Sequence, residues 1–371
     1  MPRLARLVLV LILILVLALG LVFTPAHAIE SSAGKLTVTR VIDRLDEPWA
    51  LGFLPEDGVL VTERGGRLLL FRDGARQTIG GLPRVAARGQ GGLLDILVPR
   101  DFTQSRQIYF TYAKRQPNGE GTAVAHAVLA PGATSLTNWT EIFELTPGSS
   151  GGQHFGSRLV EGPDGMLYAT IGERGDQPSA QDLSRENGSV IRIARDGSIP
   201  ADNPFAQTPG ARPAIWSYGH RNPQGATLDL SGNLWVVEHG ARGGDEINSI
   251  RKGANYGWPV ISYGRHYSGA KIGQGTHKDG MEQPDFYWDP SIAPSGMMIY
   301  SGALWPEWRG HIFVGSLKFD MISRLSGTPL TEAERLQSPE TQRVRDIREA
   351  PDGSIWFLSV GQGAAYRITP G

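Results

Sequence analysis

Short apolar runs recur along the whole chain, and each follows a turn residue or a glycine. Aliphatic, β-branched and aromatic runs after Asp-Gly or Gly-Asn pairs indicate β-hairpins, because these turn residues tolerate a positive φ angle. Six such turn-and-strand copies begin at Asp57, Gln107, Asp164, Gly232, Gly310 and Asp352. The pattern therefore predicts many short strands and an all-β fold.

The spacing of the six copies favours a circular arrangement. Spread over residues 29–371, they give about 57 residues per copy, enough for a four-stranded blade with loop insertions. We predict a single six-bladed β-propeller with four-stranded antiparallel blades and long loops over one face, with a β-sandwich as the alternative. The widest gap holds Arg242–Pro294, interpreted as an extended loop, and only Gln181–Asn187 and Thr331–Leu336 have helical character.

The N-terminus carries an export pattern. Arg3 and Arg6 precede the apolar block Leu7–Val22, and the small-residue sequence Ala26-His27-Ala28 follows. This order is typical of a signal peptide, here residues 1–28, and it predicts a periplasmic or secreted protein with no membrane span after cleavage. A retained membrane anchor is the alternative, since the block is only slightly shorter than the usual span of about 20 residues.

Composition narrows the classes of partner. The formal net charge is −1, so no overall field attracts nucleic acid, and none is expected as a partner. The chain has no cysteine, so an exported form must rely on its core, or on a metal, instead of disulfides. The sequence carries no legible interface signal and is compatible with a monomer or a homodimer.

Two glycine-rich segments hold candidate groups. Gln90 lies between glycines that let the backbone approach a ligand, and its amide both donates and accepts hydrogen bonds. His154 lies in a similar setting, and its imidazole titrates near neutral pH, which suits a general base. On pattern alone, a plain turn and a structural loop histidine explain these residues better.

Later segments offer cationic and oxygen-donor groups. Arg221 and Asn222 present donors suited to carboxylate or quinone oxygens, although a strand cap explains them equally well. Asp245 and Glu246 lie in a glycine-rich loop with backbone carbonyls nearby, which is the oxygen set that calcium selects. A solvated acidic loop is the alternative.

The C-terminal part adds further cations. Arg343 and Arg345 alternate along a predicted strand, which places both guanidinium groups on one face. Like charges on one face repel unless an anion lies between them. Lys318 lies in another strand-like run and is one of few lysines, but a solvated edge strand remains the ordinary explanation.

Taken in order, these segments resemble the soluble aldose sugar dehydrogenases that depend on pyrroloquinoline quinone (PQQ), relatives of soluble glucose dehydrogenase. The resemblance runs from Glu47-Pro48-Trp49-Ala50 to the Gly-Ser-Ile-Trp sequence that ends at Trp356. Its most specific parts are the blocks at residues 89–93, 154–159, 219–222, 244–248 and 255–259.

The resemblance implies roles for individual residues. The implied PQQ-binding residues are Gln90, Arg221, Asn222, Tyr267, Lys318, Arg343 and Arg345. His154 corresponds to the catalytic base. The implied calcium ligands are the backbone carbonyls of Gly240 and Ala241 for the calcium beside PQQ, and Glu246 and Tyr256, assisted by Asp245, for a second, structural calcium.

The implied activity is oxidation of an aldose at C1 to its lactone, with electrons passing to an external acceptor such as a quinone, a dye or a cytochrome. Gln153 and Glu173 depart from the pattern, because glucose-oxidising relatives tend to carry Asp at both positions. The loops at residues 265–283 also differ, which leaves the preferred aldose open. A calcium-dependent lactonase and a non-catalytic carbohydrate-binding propeller are the alternatives.

Overall fold

The computed structural model describes residues 27–55, 58–132 and 134–371. The predicted leader therefore lies outside the described residues except for His27 and Ala28, and so does Asp57 of the first predicted turn. Among the described residues, no helix is long and apolar enough to cross a membrane.

The described residues form twenty-five strands and three short helical elements. In chain order the strands are β1 (His27–Ser31), β2 (Gly34–Ile42), β3 (Pro48–Phe53), β4 (Val59–Glu63), β5 (Arg67–Arg72), β6 (Ala75–Ile79), β7 (Leu93–Leu97), β8 (Gln107–Gln116), β9 (Gly119–Leu129), β10 (Leu136–Glu144), β11 (Gly156–Glu161), β12 (Leu167–Ile171), β13 (Ser189–Ile193), β14 (Ile215–Tyr218), β15 (Pro223–Leu228), β16 (Leu234–Glu238), β17 (Asp245–Ser249), β18 (Phe286–Trp288), β19 (Pro294–Ile299), β20 (Ile312–Ser316), β21 (Ile322–Ser326), β22 (Thr331–Leu336), β23 (Val344–Glu349), β24 (Ile355–Ser359) and β25 (Ala364–Pro370). The helical elements are α1 (Phe102–Ser105) and the 3-10 turns Gln177–Gln181 and Pro306–Trp308.

The strands form six antiparallel sheets, which confirms the six-bladed propeller. Each of the first five blades uses four consecutive strands, from β3–β6 to β19–β22. The sixth blade has the order β1-β2-β25-β24-β23, so it joins both ends of the chain and gains a fifth strand. Leu36 pairs with Pro370 and Ile42 with Ala365, which closes the ring without leaving an open sheet between the first and last blades.

Each of the six predicted turn-and-strand copies corresponds to the second strand of a blade, counted outward from the propeller axis. These strands are β4, β8, β12, β16, β20 and β24. A second strand has a hydrogen-bonded neighbour on each side and neighbouring blades against both faces. Its residues are therefore mostly buried, as the five residues of β12 are, and the sequence there is the most continuously apolar.

Three local predictions need correction. Thr331–Leu336 is not helical: it is β22, the outermost strand of its blade, with alternating exposure along its length. In Gln181–Asn187 only the first residue belongs to a helical turn. Arg242–Pro294 is not one loop, because it contains β17 and β18; its irregular part is residues 250–285.

The innermost strands β3, β7, β11, β15, β19 and β23 contact one another in sequence around the axis. Because the second strand of each blade runs antiparallel to the first, the first strand begins at the face where the second ends; Gly156 pairs with Ile171 and Pro223 with Glu238 in this way. We call this the site face. Apolar side chains between adjacent blades form the core, for example Leu60, Leu93 and Phe110.

Candidate active site

The chain repeatedly brings predicted site residues to the site face. Residues just before or at the start of an innermost strand are Gln90, His154, Arg221, Asn222, Arg343 and Arg345. Residues that follow a second strand are Gly240, Ala241 and Lys318. Positions separated by more than 250 residues in sequence therefore share one end of the propeller.

His154 is held through its ring and its backbone. The imidazole Nδ1 lies 2.7 Å from Glu173 Oε1, and the backbone N–H donates to Gln90 Oε1 at 2.8 Å. The Glu173 side chain is 1% exposed and that of His154 13% exposed, so the pair lies at the edge of the interior. A carboxylate at Nδ1 selects the tautomer with a proton there, which leaves Nε2 as the basic nitrogen.

Two glycines let the loops of Gln90 and His154 approach closely. A Cβ atom on Gly89, which has a φ angle of +59°, would lie 2.2 Å from the carbonyl oxygen of Gly152. The backbone N–H of Gln90 donates to that same oxygen at 2.7 Å. A larger residue at position 89 would separate the two loops.

A row of amides links three blades. Asn222 Oδ1 accepts from the backbone N–H of Gly156 at 3.1 Å, and Gln224 Nε2 lies 3.3 Å from the same oxygen. Gln224 Oε1 in turn accepts from Arg345 Nη1 at 2.8 Å. The row fixes Asn222 and Arg345 beside the strand that follows His154.

Arg221 has a buried guanidinium group that the protein satisfies only in part. Its backbone N–H donates to Glu238 Oε2 at 2.7 Å and its carbonyl accepts from the Glu173 N–H at 2.9 Å. Its guanidinium lies 5.3 Å from the Trp258 ring centre and donates to the His239 carbonyl at 3.4 Å. Arg221 Nε is buried and has no hydrogen-bond partner among the described residues.

The site is electropositive. Burial, together with repulsion from Arg158 and Arg343, lowers the pKa of Arg345 to about 9. Burial and the charge of Arg221 lower the pKa of His239 to about 3, so that imidazole is neutral. Its Nε2 lies 2.6 Å from the Pro294 carbonyl and donates to it, so Nδ1 carries the lone pair.

Lys318 and Arg343 are the remaining cationic residues among the predicted site residues. Both are exposed, and Arg343 Nη1 donates to the Leu317 carbonyl at 3.0 Å. Lys318 Nζ donates to the Ser291 carbonyl at 3.2 Å. Because Ser291 Oγ binds Asp245 Oδ2, Lys318 is connected to the loop of Gly240 and Ala241.

The Asp245 carboxylate closes that loop. Oδ1 accepts from the Gly240 N–H at 2.8 Å, and Oδ2 accepts from Ser291 Oγ and from the N–H groups of Ile292 and Ala293. The carbonyls of Gly240 and Ala241, both buried residues, accept no hydrogen bond from the part of the chain that the structure describes. These two carbonyls suit a calcium ion.

A second oxygen-rich pocket lies beside the first. Burial and the negative charge of Glu238 raise the pKa of Glu246 well above its usual range. Asn248 Nδ2 lies 3.4 Å from both carboxylates, and Tyr256 lines the same small pocket. The described residues include no group of three or more His, Asp or Glu side chains arranged to hold a metal, so a cation here requires carbonyl oxygens as well.

Glu238 also belongs to a buried hydrogen-bonded row. Its Oε1 lies 2.7 Å from His220 Nδ1, and His220 Nε2 lies 3.0 Å from Ser217 Oγ. The order is that of a serine hydrolase triad, but Ser217 and His220 are both 0% exposed. The row supports the backbone of Arg221 from within and presents no nucleophile to a substrate.

Tyr267 is the predicted site residue that the structure does not bring to this network. It lies in the irregular segment 250–285 and is 75% exposed. Conversely, sequence reasoning did not assign roles to Glu173, Gln224 and His239. Glu173 stood out only as a departure from the Asp of relatives, and Gln224 and His239 carried no local signal beyond adjacency to site residues.

Comparisons with known proteins show the family of the chain. A family model for glucose/sorbosone dehydrogenases matches residues 45–367. The chain belongs to this family. It is 42% identical over 353 residues to an aldose sugar dehydrogenase of Escherichia coli, covering 92% of this chain and 95% of that protein.

Solved structures of the glucose/sorbosone dehydrogenase type superpose closely. The apo-form of the soluble aldose sugar dehydrogenase of Escherichia coli gives a TM-score of 0.86 at 41% identity, covering 91% of this chain and all of the other. The PQQ-bound aldose sugar dehydrogenase of Streptomyces coelicolor gives 0.73 at 25% identity, covering 93% and 99%. The protein is therefore an enzyme of an oxidoreductase family, as the resemblance in sequence predicted.

Proposed function

We propose that the protein oxidises aldose sugars at C1 to lactones, using PQQ and calcium, with His154 as the base. The observation that carries the proposal is the convergence of Arg221, Arg345 and His154 on one face, where Arg221 Nε is buried and unpaired. PQQ has three carboxylates. A multiply anionic ligand would pair with Arg221 and relieve the repulsion around Arg345, so the residues present fit it.

The residues that would hold PQQ are Gln90, Arg221, Asn222, Lys318, Arg343 and Arg345. Gly240 and Ala241 would hold the calcium beside it through their carbonyls. When bound, PQQ supplies an electrophilic quinone that accepts a hydride, and calcium polarises it as a Lewis acid.

The chain supplies the base and its orientation. His154 Nε2 takes the proton of the C1 hydroxyl as the C–H bond at C1 breaks and the C1–O bond becomes the lactone carbonyl. Glu173 keeps the Nδ1 proton in place and stabilises the imidazolium that forms. The buried Trp258 lies beside Arg221 at this site and restricts water. The electrons leave to an external acceptor.

Titrating PQQ into the calcium-loaded protein tests the function. We expect dye-linked oxidation of at least one member of a panel of monosaccharides and disaccharides, with a quinone absorbance band that bleaches on addition of the sugar. Verified PQQ binding without oxidation of any aldose would contradict the proposal. Hydrolysis of lactones without PQQ would indicate a lactonase instead.

Calcium binding should stabilise the protein through the pocket of Glu246 and Tyr256 as well as through the carbonyls of Gly240 and Ala241. At a calcium concentration of 100 times Kd, one site stabilises the native state by about 2.7 kcal/mol, measurable by urea unfolding. We expect Glu246→Gln to lose at least half of this gain, whereas Glu307→Gln, an exposed carboxylate on the opposite face, keeps it. An equal calcium response in Glu246→Gln and wild type would contradict the site.

Export by residues 1–28 remains part of the proposal, and it places the mature enzyme in the periplasm or outside the cell. N-terminal sequencing of the purified protein tests it: cleavage after Ala28 is the expected result, and a retained Leu7–Val22 block would indicate an anchor.

A further inference from the structure

Arg174 lies directly behind the segment that carries His154. It follows Glu173 in sequence and is 2% exposed. Its guanidinium carbon lies 3.4 Å from the ring centre of Phe155, the residue after His154. The side chain is therefore buried against the residue that follows the base.

The guanidinium group donates to three backbone carbonyls. Nη1 donates to the carbonyl of Gln153, and Nη2 donates to those of Gly151 at 2.7 Å and Glu120 at 3.4 Å. Two of these carbonyls belong to the irregular segment 151–153, which has no strand partner to satisfy them. One planar side chain thus fixes the loop that ends at His154.

The arrangement carries an energetic cost. Among the described residues, no carboxylate forms an ion pair with Arg174, and its Nε has no hydrogen-bond partner. Burial lowers the pKa of Arg174 to about 10, although Glu120 and Glu173 oppose this shift. A buried, unpaired cation is a poor way to stabilise a fold, since an apolar side chain would fill the same space at less cost.

Backbone strain is concentrated at the same place. His154 has a φ angle of 54° and Arg174 one of 63°, both in the left-handed region that non-glycine residues rarely adopt. Such conformations persist only where surrounding contacts impose them. Glu173 holds the imidazole of His154, and Arg174 holds the carbonyl of the peptide bond that precedes it, so two consecutive residues fix the ring and the adjoining backbone.

We propose that Arg174 is a positioning residue for His154: its buried guanidinium fixes the 151–153 segment and thereby keeps the imidazole in contact with Glu173. The proposal rests on the proposed function for its catalytic consequence. Its structural consequence concerns the protein without cofactor.

The apo-protein provides the first test. In Arg174→Met, amide hydrogen exchange of residues 150–156 should be faster by at least about tenfold, because the loop loses the two hydrogen bonds that Arg174 donates to the carbonyls of Gly151 and Gln153. Nitrogen-15 NMR of the histidines, with His154 identified by its loss in His154→Gln, should change from one tautomer to a mixture. Arg195→Met is the matched control, since Arg195 also lies over an aromatic ring, that of Tyr109, but pairs with Asp101 away from the site.

Turnover of the PQQ-loaded enzyme provides the second test. A base displaced by about 1 Å can lose about 100-fold in rate, so kcat of Arg174→Met should fall by this order while the KM for sugar and the Kd for PQQ stay within about threefold. Arg174→Lys keeps the charge but not the fork of donors, and its kcat should remain at least about tenfold below wild type.

The two readouts separate this proposal from the proposed function. Faster exchange and mixed tautomers in an apo-protein that never oxidises sugar would support the positioning role and contradict the dehydrogenase. Wild-type exchange and a single tautomer in Arg174→Met would overturn the positioning role whatever the activity. If Arg174→Met does not fold, the same exchange and NMR comparison on Arg174→Lys decides, and wild-type behaviour there overturns the proposal.

Discussion

Replacing His154 with alanine should reduce kcat for sugar oxidation by about 10²–10⁴-fold, the range that a positioned general base contributes. The variant loses the only group that Glu173 orients toward the reacting hydroxyl. PQQ affinity should change by less than about threefold, because the loop reaches Gln90 through the backbone N–H of residue 154, which alanine keeps.

The measurement is steady-state turnover together with a PQQ titration on the same preparation. His277→Ala is the matched control, since that histidine is exposed in the 250–285 segment, and its kcat should equal that of wild type. Turnover retained in His154→Ala would show that another group takes the proton.

Arg345→Gln should have effects of opposite sign on cofactor affinity and on stability. Removing one partner of a buried charge pair costs about 2–5 kcal/mol, so the Kd for PQQ should rise by at least about 30-fold. In the apo-protein, however, Arg345 is repelled by Arg158 and Arg343 after losing water to burial. The free energy of unfolding of the apo variant should therefore be equal to or greater than that of wild type.

Urea unfolding of the apo-protein and PQQ titration measure the two effects separately. Arg309→Gln, an exposed arginine on the opposite face whose Nη1 binds the Ser301 carbonyl, should change neither by much. An unchanged Kd for PQQ in Arg345→Gln would contradict the proposed binding of PQQ by Arg345. A large loss of apo stability would show that the Gln224 bond outweighs the repulsion.

A charged group that strengthens ligand binding but weakens the stability of the ligand-free protein is typical of binding sites. We expect Arg345 and the unpaired Nε of Arg221 both to reduce the stability of the protein alone. Each becomes favourable only with an anion beside it. The same reasoning applies to Glu246, whose buried carboxylate beside Glu238 becomes favourable with a cation.

A serine-type hydrolase mechanism finds no support in the geometry. The Ser217–His220–Glu238 row has the spacing of a triad, but no solvent reaches Ser217 or His220. A nucleophile must contact its substrate, so this row serves as buried support for the fourth blade. Lactone hydrolysis, if observed, would have to use a different group.

The sequence alone predicted the propeller, and the resemblance of its segments to a known family indicated the candidate site residues. The six apolar second strands are buried on both faces, and such strands leave a continuous apolar signal that can be counted along the chain. Gln90 and His154 lie in glycine-rich segments whose loops approach closely at Gly89 and Gly152, so these segments were recognisable. Thr331–Leu336 was not recognisable as a strand, because an outermost strand that is half exposed to water has a composition that also suits a helix.

Only the tertiary structure decided which residues these candidates contact. Glu173 pairs with His154, which lies 19 positions earlier in the sequence. Asp245 closes its own loop through a hydrogen bond from the backbone N–H of Ile292, 47 positions later. Tyr267 lies exposed, although its type suits a cofactor site. Hydrogen bonds between blades depend on the register of strands distant in sequence, and a local pattern of residues carries no information about that register.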